Sequence, residues 1–94
     1  MKMVQVKECS VSECAYNEGN MCHTMAVTIG DRDNPMCDTF CDSQSKGGER
    51  DVIAGVGACK VSSCEYNEGL ECRASSISVG RQSDEVDCLT YEHR

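Results

Sequence analysis

Cys9-Ser10-Val11-Ser12-Glu13-Cys14-Ala15-Tyr16-Asn17-Glu18-Gly19-Asn20-Met21-Cys22 returns later in the chain as Cys59-Lys60-Val61-Ser62-Ser63-Cys64-Glu65-Tyr66-Asn67-Glu68-Gly69-Leu70-Glu71-Cys72. A further cysteine follows each stretch, Cys37 in the first and Cys88 in the second, so the gaps read C-x4-C-x7-C-x14-C and C-x4-C-x7-C-x15-C. With residues 6–30 set over 56–80, eleven of twenty-five columns are identical, Val6/Val56, Val11/Val61 and Gly30/Gly80 among them. Past these glycines the register slips by one residue within a polar segment, then recovers at Cys37-Asp38-Thr39-Phe40 against Cys88-Leu89-Thr90-Tyr91. A length change confined to one polar stretch marks it as a loop. The chain is an internal duplication of a four-thiol unit.

Its 94 residues hold two repeats, each under 45 residues, with no Trp, one Phe, three Tyr and 39% hydrophobic residues, a figure that includes nine Cys. Units this small rarely bury enough apolar surface to offset chain entropy without metal, disulfides or association. Nine cysteines fit either a disulfide or a metal scaffold, and compartment decides between them. The opening Met-Lys-Met-Val-Gln-Val-Lys-Glu-Cys is charged at positions 2, 7 and 8, and no apolar run is long enough for a signal-peptide core or a membrane span. An odd cysteine count also leaves one thiol outside any intramolecular disulfide set. These features point to a cytoplasmic protein with thiolate ligands; a secreted disulfide-rich mini-protein remains the alternative.

Formal charge is −7 with thiols neutral. Each zinc centre with four thiolate ligands carries −2, so two of them bring the total to about −11. The acids are spread out and no basic stripe occurs, which argues against nucleic acid as a partner. An acidic surface suits a basic protein partner instead. No membrane association is expected.

Along the chain, residues 1–7 alternate weakly (Met3, Gln5 and Lys7 against Val4 and Val6) and read as a short entering strand, with Asp51–Gly55 in the same role for the second repeat. Tyr16-Asn17-Glu18-Gly19-Asn20 reads as a turn, because Asn and Gly accept a left-handed backbone at low cost. Val27-Thr28-Ile29 and Ile77-Ser78-Val79 alternate apolar with hydroxyl residues, the period of a half-buried strand. Gly30 and Gly80 are expected to open the polar loop, after which Cys37–Phe40 and Cys88–Tyr91 return in a hairpin-like arm. No segment sustains a 3.6-residue period. The expected fold is therefore small, metal-stabilised, irregular and β-rich, with little helix. It comprises a first four-cysteine module over 1–41, a flexible Gly/Ser-rich linker over 42–51, and a second module over 52–94.

Zinc accepts four soft ligands tetrahedrally without redox change. The expected ligands are Cys9, Cys14, Cys22 and Cys37 for one ion and Cys59, Cys64, Cys72 and Cys88 for a second. Main-chain N–H groups following Cys9, Cys14, Cys59 and Cys64 are candidate donors to the sulfurs. The spacing matches neither ferredoxin pattern, which leaves iron–sulfur a minor alternative. Because binding energy is folding energy at such sites, the metal-free chain is expected to be largely unfolded. Independent modules would let Cys72→Ser disorder the second repeat and spare the first.

The motif Cys-x-Val-x-x-Cys-x-Tyr-Asn, then Cys, an alternating strand ending in Gly, then Cys-x-Thr-(Phe/Tyr), resembles a short bacterial four-cysteine family known as domain-of-unknown-function family 1540. The first copy supplies Cys9, Val11, Cys14, Tyr16, Asn17, Cys22, Gly30, Cys37, Thr39 and Phe40. The second supplies Cys59, Val61, Cys64, Tyr66, Asn67, Cys72, Gly80, Cys88, Thr90 and Tyr91. The resemblance implies metal binding through the four cysteines and no assigned activity.

Cys41 has Glu92 as its counterpart and lies outside the duplicated set. It reads as a spare thiol, or as an exchangeable ligand or redox partner for Cys37. His23 and His93 are unmatched in the repeat and read as non-ligands. The aromatics Tyr16, Tyr66, Phe40 and Tyr91 all occupy repeat positions and should pack over the metal-bound turns. With four protein ligands per ion no coordination position is left for water or substrate, and no nucleophile–base pair or phosphate loop occurs. The leading reading is a non-catalytic tandem zinc module with a structural or protein-interaction role. A thiol-based metal buffer or redox sensor is the reading from a different class.

Overall fold

The computed structural model describes residues 3–32 and 34–94. Met1 and Lys2, in the expected entering strand, and Asp33, in the expected loop, lie outside the described residues. Among those described there are nine short strands and no helix. The small, β-rich, helix-poor class read from the sequence is the one observed.

Each repeat begins with a five-residue strand that ends on its first cysteine: β1, Gln5–Cys9, and β5, Gly55–Cys59. Both start later than the alternation in the sequence suggested. Residues 52–54 still follow a turn, with Val52 N–H bonded to Glu49 O, before the chain straightens. A two-residue-per-strand hairpin follows in each repeat: β2 (Asn17–Glu18) with β3 (Met21–Cys22), and β6 (Asn67–Glu68) with β7 (Glu71–Cys72). The tips are Gly19-Asn20 and Gly69-Leu70, with φ of 62° and 64° and of 60° and 64°. Two successive left-handed residues form the tight turn that matches strand twist. Asn17 and Asn67 are not the left-handed residues of these turns. They are buried, and they anchor the hairpins.

The remaining strands are β4 (Ala26–Ile29), β8 (Ser76–Gln82) and β9 (Glu85–Cys88). Gly80 does not open a loop, contrary to expectation; it lies inside β8 opposite Asp87. The extra residue of the second repeat allows a two-residue turn at Ser83-Asp84, with Ser83 at φ 57°, and a regular hairpin. In the first repeat Pro35 lacks the N–H a ladder needs. There the return arm meets its own β4 through the isolated bridge Ile29↔Cys37 in place of a regular ladder.

The two repeats exchange strands. The five-stranded sheet runs β4-β5-β1-β8-β9, so each entering strand lies parallel to the long strand of the other repeat. Val6 faces Ile77 and Cys9 faces Val79, while Val27 faces Val56 and Ile29 faces Cys59. The entering strands meet antiparallel at Gln5↔Gly55, where Val6 N–H donates to Ala54 O (2.9 Å) and Val56 N–H to Val4 O (2.7 Å). Bridges Ile29↔Cys37 and Met36↔Asp87 connect β4 to β9 through the return arm of the first repeat. The hydrogen-bonded neighbours thus form a ring around one shared core of Val6, Val27, Ile29, Val56, Ile77, Val79 and Val86.

Residues 42–51, read from composition as a linker, are laid along the first repeat. Asp42 bridges to Cys14, Gly47 N–H bonds to Ala15 O (2.8 Å), Glu49 N–H to His23 O (2.9 Å), and Arg50 pairs with Glu18 (2.6 Å).

Candidate metal centres

Each cysteine quartet lines one small chamber. Cys9, Cys14, Cys22 and Cys37 surround a cavity of about 10 Å³ closed by Tyr16, Phe40, Val6 and Val27. Cys59, Cys64, Cys72 and Cys88 surround one of about 20 Å³ closed by Tyr66, Tyr91, Val56 and Ile77. Such volumes hold a single water or ion and nothing larger. All eight predicted ligands are therefore brought together in the sets the spacing suggested, and the aromatics cover the chambers as expected. All nine cysteines are free thiols.

Two local devices recur around each quartet. The hairpin tip caps the first cysteine: Cys9 N–H donates to Asn20 O (2.9 Å), and Cys59 N–H to Leu70 O (3.0 Å). From within the hairpin, Asn17 Nδ2 donates to Cys9 O (2.6 Å) and Asn67 Nδ2 to Cys59 O (2.7 Å). The Thr of Cys-x-Thr then fastens the return arm to the strand before it. Thr39 Oγ1 accepts from Thr28 N–H (3.1 Å) and Thr90 Oγ1 from Ser78 N–H (3.0 Å). Repeat identity at Asn and Thr was the sequence signal for these roles.

The thiols feel one another. Burial pushes Cys37 up to about 11, with Cys22 and Cys14 adding to the rise, while main-chain N–H groups of Thr39 and Phe40 oppose it. Cys88 is likewise pushed up to about 11 by burial, with Cys72 and Cys59 raising it and Thr90 and Tyr91 N–H opposing. Cys22 is raised by burial and by Cys9 and Cys14, against the N–H of Thr24; Cys72 by burial and by Cys59 and Cys64, against Ala74. Sulfur-directed N–H groups thus follow the third and fourth cysteines, beyond the turns where the sequence reading placed them. They are the groups that stabilise a metal-bound thiolate.

The donor set fits a soft dication: four thiols per chamber, N–H groups aimed at sulfur, and apolar walls. Among the described residues, no three His, Cys, Asp or Glu side chains stand at a spacing that grips an ion directly. The four cysteines of each quartet nonetheless line one chamber. The raised pKa values of Cys22, Cys37, Cys72 and Cys88 mean that, with no cation, these thiols keep their protons; a dication must displace them.

Cys41 is exposed and lines neither chamber. His23 is tied to Val52 O (2.9 Å) and His93 to Arg94 O (2.8 Å), and neither lines a chamber. Sequence reasoning missed a pair of cations. Lys46 Nζ donates to Ser12 O (2.8 Å) and Cys14 O (3.1 Å), while Arg94 donates to Cys64 O (2.7 Å) and Asn67 O. Lysine and arginine thus perform one task from segments with no shared pattern.

The domain described as Domain of Unknown Function (DUF1540) matches twice, over residues 8–44 and 58–91. The chain belongs to this family. It carries two tandem copies, as the sequence motif suggested, and the first match runs on into the segment packed against Cys14 and Ala15. No curated protein and no solved structure matches the chain.

Proposed function

We propose that this chain is a non-catalytic, tandem zinc-binding module of the reducing cytoplasm, with one four-cysteine site per repeat and a structural or protein-interaction role. The observation that carries the reading is that each quartet converges on a buried chamber with room for one ion. Small-molecule sites are usually hundreds of Å³. The larger recess of about 560 Å³, at Met3, Val4, Gln5, Ile53, Gly55 and Ser75, holds no titratable side chain. Once the sulfurs close on zinc no position is left for substrate, so the loaded protein acts through its surface. That surface is acidic, which suits a basic protein partner.

Native mass spectrometry of freshly purified protein tests the reading. Two zinc ions on reduced cysteines are expected. A metal-free mass lighter by two hydrogens per cysteine pair would overturn it in favour of a disulfide protein, and bound iron would replace the metal. The exposed Cys41 thiol favours a second reading, a metal buffer or redox sensor. It is supported if mild oxidation expels zinc from the wild type and spares Cys41→Ser.

A further inference from the structure

Resting on the assignment of each quartet as a metal site, we infer that the two sites complete each other and load as a pair, because each chamber is walled by the opposite repeat. The walls are reciprocal. Val79 and Val86 of the second repeat line the chamber of Cys9, Cys14, Cys22 and Cys37, while Ile29 and Pro35 of the first line that of Cys59, Cys64, Cys72 and Cys88.

The backbone joins are reciprocal as well. Cys37 N–H donates to Val86 O and Cys88 N–H to Pro35 O, both at 2.7 Å. Cys9 is registered against Val79, and Cys59 against Ile29. Ser10 N–H donates to Val79 O (3.0 Å) and Lys60 N–H to Ile29 O (2.7 Å). The first and last cysteines of each quartet are thus held in place by main chain from the other repeat.

An ion that draws Cys9 and Cys37 together fixes β1 and the arm at Met36–Cys37, and through them Val79, Val86 and the end of β9 that carries Cys88. The second quartet is then already ordered, and its ion meets a smaller entropic cost. Linkage makes the effect equal in both directions. Independent sites would leave about half of the molecules singly loaded at half saturation. A coupling of about 100-fold, within the usual range, lowers that share to about a tenth.

The test is a zinc titration of the reduced, full-length protein, with species counted by native mass spectrometry at half loading. Zinc-free and two-zinc protein should dominate; the statistical share of singly loaded protein overturns the inference. Val86→Ala offers a separate measurement, since Val86 donates no ligand. Amide exchange at Val27 and Ile29, in the other repeat, is expected to accelerate. Should the protein fold but bind no zinc, the metal assignment fails and exchange still decides the coupling: unchanged protection at Val27 and Ile29 refutes it. A chain that neither binds zinc nor folds refutes both.

Discussion

Gly30→Ala is the substitution that probes the strand exchange most directly. Gly30 has φ 105°, and a Cβ there would lie 2.5 Å from Val61 Cγ2 and 3.0 Å from Val61 N, atoms of the other repeat. Two costs add. Left-handed backbone costs a non-glycine residue about 1–2 kcal/mol. Overlap with a packed side chain and its backbone costs about 1–3 kcal/mol more. Together they predict a loss of about 2–5 kcal/mol. Gly69 provides the control, because it has φ 60° and nothing lies within 4 Å of an added Cβ. Gly69→Ala should cost only the backbone share, about 1–2 kcal/mol. Both variants are compared with the wild type by urea unfolding under identical metal and reductant, followed by circular dichroism. The double variant Gly30→Ala/Val61→Ala completes a cycle, and it should cost less than the two single changes combined by about 1–2 kcal/mol. Gly30→Ala costing no more than Gly69→Ala, with no coupling to Val61, would refute the packing of one repeat on the other.

Three further outcomes follow from single residues. Leu70 holds φ 64° with 53% of its surface exposed, so Leu70→Asn, which copies Asn20 at the equivalent tip, should stabilise by about 1 kcal/mol in the same assay. Asn17→Ala removes the partner of the Cys9 carbonyl from a site only 3% exposed and should cost about 1–3 kcal/mol; a loss under about 0.5 kcal/mol would contradict the anchoring role. Asp87 is 5% exposed with Oδ1 unpartnered, and burial together with Glu85 raises its pKa from 3.8 to about 6. A raised carboxyl favours its protonated form in the fold, so its penalty is full above pH 6 and fades as pH falls towards 4. Asp87→Asn should therefore stabilise by about 1–2 kcal/mol at about pH 7.5, less than the full shift implies because half-exposed Glu85 is screened, and the gain should vanish near pH 4. Thermal melts at both pH values check the sign, and a gain that persists at low pH would contradict it.

Much of the site was legible because it is written twice. Two copies of one cysteine spacing picked out both quartets, since residues that line one chamber recur together. Asn17 reads in sequence as a turn residue, and only the structure turns it and Asn67 onto the carbonyls of Cys9 and Cys59, and Thr39 and Thr90 onto the N–H groups of Thr28 and Ser78. The alternation Val27-Thr28-Ile29 and Ile77-Ser78-Val79 marked strands whose inner residues reach the core. Element ends were less legible. Gly80 holds the position in its repeat that Gly30 holds in the other, and only the extra residue before Cys88 lets its strand run on into a hairpin. Lys46 and Arg94 were invisible as a pair because a cation on a carbonyl needs reach, with no fixed spacing or residue type.

The sequence by itself determined a duplicated, β-rich, four-thiol unit, because spacing, alternation and turn residues act over a few neighbours. Only the tertiary structure decided which copy pairs with which. β1 could lie beside Val27-Thr28-Ile29 or beside Ile77-Ser78-Val79, and the two strands offer it nearly the same apolar face. Local pattern is degenerate between those choices. The choice is made by the antiparallel joins at Gln5↔Gly55 and Met36↔Asp87, long-range pairings formed only when both copies are present. They place Val79 and Val86 over one quartet and Ile29 and Pro35 over the other, so that neither chamber is closed by its own repeat alone.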